Sequence, residues 1–535
     1  MSNTVTKTLD AVIVGAGFGG LYALYRLREM GLAATVLEKG DGIGGTWYWN
    51  RYPGARCDVE SLQYSYSFSD EVQQEWHWSE RFASQGEILN YINYVADKFG
   101  LKESVELNTR VVSATYDDAD QTWSTKTADG QVRRSRLLIF ATGALSMPIE
   151  PAIAGLDQFE GEIYRTSAWP HEPVSFAGKR VAVVGTGSSG IQAVPVIAEE
   201  AARLFVLQRT PNYSIPGRNK AMDPEFERDW KANYAERRQE ALRTRSNNLF
   251  RAGTVPGREV TYEEREREFE ARWEAGGLAL PYSYPDLTLD PEVNKHASDF
   301  VRRKIAEKIK DPQVAAGLLP NEYGIGGRRL CVDNGYYETF NRDNVTLVDL
   351  RKEPLISMTS QGFRTEKAEH AIDALVLATG FDAFTGALSR IAVKGRNGLQ
   401  LSEKWADGPT NYLGLTVAGF PNMFIVTGPG SPSVLSNMVI SIQQHIDWIA
   451  ECIEFLRRNG HTTIDAKLDS ETAWGNHIAG IAAGTLIQRT KSWYTGSNVS
   501  GKTNSHFLYM GGTINYIRDI THAGPETDYA GFELN

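Results

Sequence analysis

Cysteine is scarce in this sequence, and its placement excludes two kinds of site. The 535 residues include three cysteines, Cys57, Cys331 and Cys452, which lie far apart and form no CxxC pair. A thiol–disulfide reductase needs two neighbouring cysteines, and a structural metal site needs several ligands at short spacing. We therefore expect no redox disulfide and no metal. Few, scattered cysteines also suit a reducing, cytoplasmic compartment.

Excess positive charge and long apolar runs are also missing. The chain has 56 Lys and Arg against 66 Asp and Glu, a net charge of −10, which argues against nucleic acid or an anionic membrane as partner. No apolar run is long enough to cross a bilayer, and residues 1–6 lack the basic and apolar segments of a secretory signal. The length suits two or three domains, and we expect a monomer or weak dimer.

What the sequence does contain is a dinucleotide fingerprint near its start. An apolar strand, 11–14, leads into Gly-Ala-Gly-Phe-Gly-Gly at 15–20, a helix over about 21–30, and a second strand, 34–37, that ends at Glu38. Gly15 and Gly17 permit the tight turn and close approach of a pyrophosphate, and Gly20 permits packing of helix on strand. The helix N-terminus supplies free N–H donors for the phosphates, and Glu38 can accept the ribose hydroxyls.

A second fingerprint follows at 185–190. Strand 180–184 leads into Gly-Thr-Gly-Ser-Ser-Gly and a helix from Ile191, but the next strand, 204–207, is followed by Arg209 and Thr210 instead of an acid. A carboxylate there would repel a 2′-phosphate, whereas an arginine can bind one. The first site therefore suits FAD and the second NADPH. The alternative for Arg209 is an ordinary solvated side chain.

The two fingerprints belong to a longer repeat. Apolar strands ending in Ala-Thr-Gly occur at 137–143 and again at 374–380, and residues 222–310 between them are rich in Glu, Arg and Lys at helical spacing. We interpret these charges as solvated faces of an inserted helical segment. The expected fold is α/β, with two Rossmann-like dinucleotide-binding domains for FAD and NADP and a helical insertion in the NADP domain. The expected ranges are 1–147 and 386–535 for FAD, 148–221 and 331–385 for NADP, and 222–330 for the insertion.

Residues 44–58 alternate glycines, bulky aromatics and two arginines without a helix or strand period. This pattern predicts an ordered loop lying along a flat cofactor ring; the alternative is a surface loop packed by its own aromatics.

A flavin and a nicotinamide together imply hydride transfer from NADPH to FAD. Reduced flavin can pass electrons to a disulfide, a quinone, a protein carrier or oxygen. The missing CxxC removes the first, and oxygen is the simplest of the rest, which favours a flavin monooxygenase.

Two segments resemble a known family. Residues 159–170 are similar to the FxGxxxHxxxW fingerprint of class I Baeyer–Villiger monooxygenases, and residues 44–58 match GGxWxxxxYPGxxxD at every fixed position. The resemblance covers essentially the whole chain and is nearest in character to phenylacetone, steroid and cyclohexanone monooxygenases. It implies conversion of a ketone to an ester or lactone with NADPH and O₂, through a C4a-peroxyflavin and a Criegee-type intermediate. One position departs, because Arg165 replaces the fingerprint histidine.

Two alternatives remain at this stage. One is a flavin monooxygenase that oxidises sulfur or nitrogen, and the other is a non-catalytic NADPH-binding flavoprotein. The resemblance places the active-site arginine at Arg329, with Asp58 orienting it. A fixed cation beside the flavin would stabilise the negative oxygens of the reaction, and arginine stays protonated in almost any environment.

The remaining site residues are expected in three groups. The FAD contacts are Gly15, Gly17, Phe18, Gly20, Glu38, Gly45, Thr46, Trp47, Asp58, Tyr64, Val111 and Met438. The NADP contacts are Arg56, Gly185, Thr186, Gly187, Ser188, Ser189, Gly190, Gln192, Arg209, Thr210, Arg328 and Trp493. The resemblance implies that Arg328 binds the 2′-phosphate and that Trp493 contacts the nicotinamide cofactor. The ketone pocket is expected at Ser433, Val434 and Leu435.

Overall fold

The structure of the protein is a computed structural model that describes residues 8–250, 252–499, 502 and 505–535. The strands in chain order are β1 (Leu9–Val14), β2 (Ala34–Leu37), β3 (Val105–Glu106), β4 (Val111–Asp117), β5 (Thr122–Thr127), β6 (Val132–Phe140), β7 (Glu162–Arg165), β8 (Arg180–Val184), β9 (Arg203–Gln208), β10 (Ser214–Pro216), β11 (Cys331–Asp333), β12 (Val345–Asp349), β13 (Leu355–Thr359), β14 (Gly362–Thr365), β15 (Glu369–Ala371), β16 (Ala374–Leu377), β17 (Ala392–Lys394), β18 (Met423–Ile425), β19 (Ile464–Ala466) and β20 (Phe532–Leu534).

The α-helices are α1 (Phe18–Glu29), α2 (Thr46–Trp49), α3 (Asp70–Glu75), α4 (Gln85–Lys98), α5 (Ser188–Glu200), α6 (Pro224–Ala232), α7 (Tyr234–Leu242), α8 (Tyr262–Ala275), α9 (Pro291–Glu307), α10 (Pro312–Leu318), α11 (Tyr336–Thr339), α12 (Leu401–Lys404), α13 (Met438–Asn459), α14 (Leu468–Ala483) and α15 (Thr513–His522). None of the helices in the described ranges is long and apolar enough to span a membrane.

The larger sheet contains the first fingerprint. Its strand order is β17-β4-β5-β6-β1-β2-β3, with β18 also paired to β6. Strand β1 runs parallel to both β2 and β6, and its residues Ala11, Val12 and Ile13 are fully buried. Burial on both faces explains why β1 reads as a continuous apolar run. Helices α1 and α13 pack together on one face of this sheet.

The second sheet contains the second fingerprint. Its order is β12-β9-β8-β16-β7, and every pair is parallel. The late strands β17 and β18 belong to the first sheet, whereas β12 and β16 belong to the second. The predicted α/β class with two Rossmann-type cores is confirmed. The exact domain boundaries remain a prediction.

The inserted segment is helical, as predicted, but its charges differ from the expectation. Helices α6, α9 and α10 each begin after an aspartate whose side chain accepts backbone N–H groups, with proline at the first helical position. The expectation that the charge runs are solvated faces is wrong in part, because Arg238, Arg265 and Arg272 are buried. Helical spacing alone does not say which charged face is covered by the rest of the chain.

Two local expectations need correction. Helix α1 begins at Phe18, not at Leu21, because Gly19 and Gly20 already have helical geometry. Residues 44–58 contain one helical turn, α2, in a stretch predicted to be loop throughout. Gly45 precedes that turn with a φ of +54°, a conformation that glycine adopts at little cost.

Candidate functional site

A long cleft opens at the carboxyl ends of β1, β2 and β6. Its cavity volume is about 380 Å³, within the roughly 300–1,000 Å³ of ordinary ligand pockets, and its lining extends from Glu38 past Tyr64 to Met438. The predicted FAD contacts in its lining are Gly15, Gly17, Phe18, Glu38, Gly45, Thr46, Trp47, Tyr64, Val111 and Met438. Gly20 and Asp58 lie outside this lining.

The glycines of the first fingerprint have separate structural roles. Gly15 has a φ of +104°, and a Cβ there would lie 2.7 Å from the carbonyl oxygen of Ala141. A Cβ on Gly20 would lie 1.8 Å from the carbonyl oxygen of Gly15, so this glycine allows the helix to approach the turn. Among the described residues no side chain caps the N-terminus of α1. Its first N–H groups are therefore free to bind a phosphate.

Glu38 is fixed at the end of β2 by two backbone donors. The N–H of Ala16 donates to its Oε2 at 2.8 Å, and the N–H of Gly40 donates to its Oε1 at 2.9 Å. Each carboxylate oxygen keeps a further lone pair. Glu38 is thus held at the cleft with acceptor capacity for the ribose hydroxyls predicted from the sequence.

The second fingerprint repeats this geometry. Gly185 has a φ of +111°, and its Cβ would lie 2.3 Å from the carbonyl oxygen of Ala378. A Cβ on Gly190 would lie 2.1 Å from the carbonyl oxygen of Gly185. Ala141 and Ala378 are the alanines of the two Ala-Thr-Gly segments. The long-range repeat in the sequence therefore corresponds to one close contact, made twice.

Near the second fingerprint, several predicted NADP contacts are held by the protein itself. The hydroxyl of Thr186 donates to the carbonyl oxygen of Thr210 at 2.9 Å, and the side chains of Ser188 and Cys331 are 3.2 Å apart. A Cβ built on Gly187 would have no atom of the described residues within 4 Å. This space lies at the N-terminus of α5, which no described side chain caps; free N–H groups of this kind suit a pyrophosphate.

The two predicted 2′-phosphate ligands lie on different segments. Arg209 is exposed beyond β9. The guanidinium of Arg328 lies 5.0 Å from the ring centroid of Tyr323, and its buried Nε has no hydrogen-bond partner among the described residues. A buried donor without a partner is costly unless a ligand supplies the acceptor. Trp493 is half-buried and stacks on Phe384, with ring centroids 5.8 Å apart.

Gln192 joins the loop of residues 44–58 to helix α5. Its Oε1 accepts the hydroxyl of Tyr52 at 2.8 Å, and its Nε2 donates to the carbonyl oxygen of Arg56 at 3.1 Å. The guanidinium of Arg56 pairs with Glu80 at 2.9 Å. The loop that lines the first cleft is therefore also anchored to the helix of the second fingerprint.

Arg329 and Asp58, 271 positions apart in the chain, meet in space. Nη2 of Arg329 donates to Oδ2 of Asp58 at 3.3 Å, and Nη1 donates to the carbonyl oxygen of Val434 at 3.1 Å. Their side chains are 28% and 11% exposed. Val434 lines the cleft, whereas Ser433 and Leu435 do not. The predicted arginine is thus held between the first cofactor loop and the predicted ketone pocket.

The electrostatics of this pair keep Arg329 positive. Burial disfavours the charge, but the carboxylate of Asp58 and the nearby Tyr494 raise the pKa of Arg329 above its ordinary value. Burial raises the pKa of Asp58, and the Arg329 guanidinium opposes that rise. The neighbouring thiols are unreactive, because burial raises the pKa of Cys57 and of Cys331 to about 12. A thiolate nucleophile is therefore not available here.

A buried histidine supports the wall of the cleft at Thr427. The N–H of Thr427 donates to Nδ1 of His445 at 3.0 Å, and Nε2 of His445 lies 2.8 Å from the hydroxyl of Tyr516. Since Nδ1 is an acceptor, a neutral imidazole carries its proton on Nε2. Burial lowers the pKa of His445 to about 3, so it stays neutral at physiological pH.

Sequence reasoning missed a group of cations at the Glu38 end of the cleft. Lys39, Arg110 and Arg390 all line it, and the ammonium of Lys39 lies 4.6 Å from the ring centroid of Trp49. Lys39 is adjacent to Glu38 in the sequence, which is a signal that could have been used. Arg390 comes from a distant segment, and no local pattern places it there.

A family model described as pyridine nucleotide-disulphide oxidoreductase matches residues 12–265. All three cysteines are free and buried, so the match concerns nucleotide binding and not disulfide chemistry.

Three curated relatives align over nearly the whole chain. Acetone monooxygenase (methyl acetate-forming) of Gordonia sp. (strain TY-5) is 39% identical, over 99% of this chain and 100% of the relative. Phenazine N-monooxygenase of Lysobacter antibioticus is 38% identical, over 98% and 97%. A Baeyer–Villiger monooxygenase of Pseudooceanicola batsensis is 38% identical, over 97% and 95%.

Solved structures agree with these relatives. Oxidised steroid monooxygenase bound to NADP has a TM-score of 0.95 at 45% identity, over 99% of both chains. OTEMO in complex with FAD and NADP has a TM-score of 0.95 at 36% identity, over 99% of this chain and 100% of that one. The glycine cradles, the uncapped helix N-termini and the unpaired donor of Arg328 fit the same two cofactors. The chain therefore belongs to the family of FAD- and NADP-dependent Baeyer–Villiger monooxygenases.

Proposed function

We propose that this protein inserts one oxygen atom of O₂ beside the carbonyl group of a ketone, giving an ester or lactone at the expense of NADPH. The observation that carries the proposal is the position of Arg329, held by Asp58 on one side and by the Val434 carbonyl oxygen on the other. This cation lies where the cofactor loop meets the proposed ketone pocket. The site assignments that follow are part of the same proposal.

The first cleft holds FAD and the second fingerprint holds NADPH in this proposal. Bound FAD would supply the redox chemistry, by carrying electrons from NADPH to O₂. The N-terminus of α1 would hold the FAD pyrophosphate, and Glu38 would accept hydrogen bonds from the ribose hydroxyls. Arg209 and Arg328 would bind the 2′-phosphate of NADPH, and Trp493 would contact its nicotinamide part. Exclusion of water from such a site strengthens every charge interaction within it.

Arg329 supplies electrostatic stabilisation where negative charge develops on oxygen during attack on the ketone carbonyl. A preorganised cation is effective because it needs no reorientation as the charge appears. Asp58 orients the guanidinium, and the Val434 carbonyl oxygen fixes its second edge. Arg329 keeps its proton throughout, so it acts as a fixed charge and not as an acid or base.

One relative favours a second candidate, oxidation of a ring nitrogen. The Lysobacter antibioticus protein is named a phenazine N-monooxygenase and aligns with this chain almost end to end. Similar sequences in this family thus act on heteroatoms as well as on ketones. The non-catalytic alternative is set aside, because full-length relatives at this identity are enzymes.

A single experiment separates the two candidates. The purified holoenzyme is given NADPH and O₂ with a panel of linear, cyclic and aromatic ketones, and in parallel with nitrogen heterocycles and sulfides. We expect ester or lactone in a one-to-one ratio with NADPH consumed for at least one ketone. N-oxide or sulfoxide as the only coupled product would instead establish the second candidate, and hydrogen peroxide alone would contradict both.

We also propose a cytoplasmic location and no nucleic-acid or membrane partner. Three buried free thiols suit a reducing cytoplasm, and the net charge of −10 suits a protein without a nucleic-acid or membrane partner. We propose a monomer or weak dimer. Sedimentation velocity over a range of concentrations tests that statement, and a stable tetramer would contradict it.

A further inference from the structure

Helix α7 of the insertion carries a buried cation that the reaction described above does not use. Arg238 is 9% exposed, and no carboxylate forms an ion pair with it anywhere in the described part of the chain. Burial lowers the pKa of Arg238, with Tyr234 and Tyr91 acting in the opposite direction. Removing an arginine charge from water without a counter-ion costs free energy. Such a residue needs a reason beyond covering apolar surface.

Nε of Arg238 donates to Oε1 of Gln73 at 3.4 Å, and its other two hydrogen-bond partners lie on either side of one cleft residue. Its Nη1 donates to the carbonyl oxygen of Gln63 at 2.9 Å, and its Nη2 donates to the hydroxyl oxygen of Ser65 at 2.7 Å. Tyr64, between them, lines the FAD cleft. Tyr64 also accepts the indole N–H of Trp47 at 3.3 Å. The guanidinium therefore holds the backbone carbonyl group before Tyr64 and the side chain of the residue after it.

The carbonyl group of Gln63 has a second donor from another helix. Nδ2 of Asn437 donates to it at 2.8 Å, so both lone pairs of this oxygen are used. Asn437 is the N-cap of α13, and its Oδ1 accepts the N–H of Val439. The next residue after the cap, Met438, is another residue of the cleft lining. One carbonyl oxygen thus ties the insertion, Tyr64 and the start of α13 together.

Residues 246–249, at the end of the same insertion segment, make further hydrogen bonds to Gln63 and to the start of α13. The N–H of Leu249 donates to Oε1 of Gln63 at 2.7 Å, and the N–H of Asn437 donates to the carbonyl oxygen of Ser246 at 2.8 Å. Nδ2 of Asn247 lies 3.3 Å from the hydroxyl oxygen of Ser441 on α13. The insertion therefore contacts the cleft wall through a directional polar network, which fixes positions more narrowly than apolar packing does.

We propose that Arg238 is a positioning residue for the oxygenation reaction, which sets Tyr64 and Met438 against the flavin through Gln63, Ser65 and Asn437. On this view the helical insertion supports the active site, and its buried charge serves to fix the positions of Tyr64 and Met438. A displacement of about 1 Å at a reacting centre can cost about 10²-fold in rate. The inference rests on the proposed placement of FAD in the cleft.

The test compares three holoenzyme variants. Arg238→Met removes the donors but keeps a similar stem, and Ser65→Ala removes one acceptor without touching the charge. Arg243→Met, at the exposed C-cap of the same helix, is the matched control. The readouts are the visible circular dichroism of the oxidised bound flavin, kcat for ester formation, the ester formed per NADPH consumed, the KM for NADPH and the melting temperature.

We expect Arg238→Met to change the visible circular dichroism and to lower kcat for ester formation by about 10²-fold, with the KM for NADPH unchanged. Ser65→Ala should change both in the same direction by less, and Arg243→Met should match the wild type. If Arg238→Met lowers only the melting temperature, with the flavin spectrum and coupling intact, the inference is overturned. If that variant does not fold, an unchanged spectrum and coupling in Ser65→Ala overturns it. The flavin spectrum needs no ketone, so failure of the proposed reaction would be seen separately.

Discussion

Gly187 is a position where an added methyl group should weaken ligand binding but leave the stability of the protein almost unchanged. Its φ is −82°, an ordinary backbone conformation, and in the described part of the chain no atom lies within 4 Å of a Cβ built there. Gly187→Ala should therefore change the stability of the protein by no more than about 1 kcal/mol. In the proposed complex, however, the NADPH pyrophosphate approaches the backbone closely at the second glycine of this fingerprint.

The magnitude follows from the cost of overpacking a filled site. An extra methyl group in a well-packed contact costs roughly 1–3 kcal/mol, and about 1.4 kcal/mol corresponds to a tenfold change in Kd. We expect NADP⁺ to bind Gly187→Ala about 5- to 140-fold more weakly than wild type. FAD content should be unchanged, because the first fingerprint is untouched. Calorimetric titration of the oxidised holoenzyme with NADP⁺ measures the effect directly.

Two further glycines provide controls. Gly475 lies exposed in α14 and also has open space around its Cβ position, so Gly475→Ala should leave NADP⁺ affinity unaltered. Gly185→Ala should fail differently, since its φ is +111° and its Cβ would lie 2.3 Å from a carbonyl oxygen; we expect loss of folded protein. Wild-type NADP⁺ affinity in a folded, FAD-loaded Gly187→Ala variant would refute the placement of the pyrophosphate at α5.

Four other predictions concern single residues. Arg329→Ala should still bind FAD and be reduced by NADPH but form ester about 10²–10³-fold more slowly; substantial ester would contradict its role. Arg209→Ala should weaken NADPH binding by about 1.5–3 kcal/mol, the value of a hydrogen bond to a charged group, and should leave NADH binding almost unchanged. Equal losses for the two nucleotides would argue against a 2′-phosphate contact. Burial lowers the pKa of His445 to about 3, well below its unfolded value of about 6.5. Below that unfolded pKa the unfolded chain therefore binds one more proton than the folded chain, and the free energy of unfolding falls as pH falls. Between about pH 7 and about pH 5 the wild type should lose about 2 kcal/mol more than His445→Asn in denaturant unfolding, and parallel losses would exclude this cause. Arg165, half-exposed and 3.2 Å from Glu150, should be replaceable by histidine without a change of orders of magnitude in product per NADPH.

The strand–turn–helix geometry of both fingerprints was predictable because it depends on local interactions. A strand, a turn with glycine at fixed offsets and a helix N-terminus lie within about 20 residues of each other. The same backbone conformation then recurs wherever the pattern recurs, as the paired contacts of Gly15 with Ala141 and of Gly185 with Ala378 illustrate. The limits of α1 were less predictable, because glycine weakly disfavours helix and packing decided the outcome at Gly19 and Gly20.

The Arg329–Asp58 pair shows where local reasoning stops. Each residue could be proposed only through the resemblance of its surrounding motif, since 271 positions separate them. Their contact depends on how the insertion and the first cofactor loop pack together. The same holds for Arg390, which reaches the Glu38 end of the cleft from a distant segment.

By itself, the sequence determined the α/β class, the two nucleotide-binding fingerprints and the absence of a CxxC pair, because each depends on residue types at short spacing. The assignment of FAD to the first fingerprint and NADPH to the second stays a prediction. Tertiary structure alone decided which charges of the insertion are solvated and which are buried. Arg238 and its exposed neighbour Arg243 look alike in a helical pattern, yet only one meets the peptide next to Tyr64. A helix presents its faces with a fixed period, but the rest of the fold determines which face is covered.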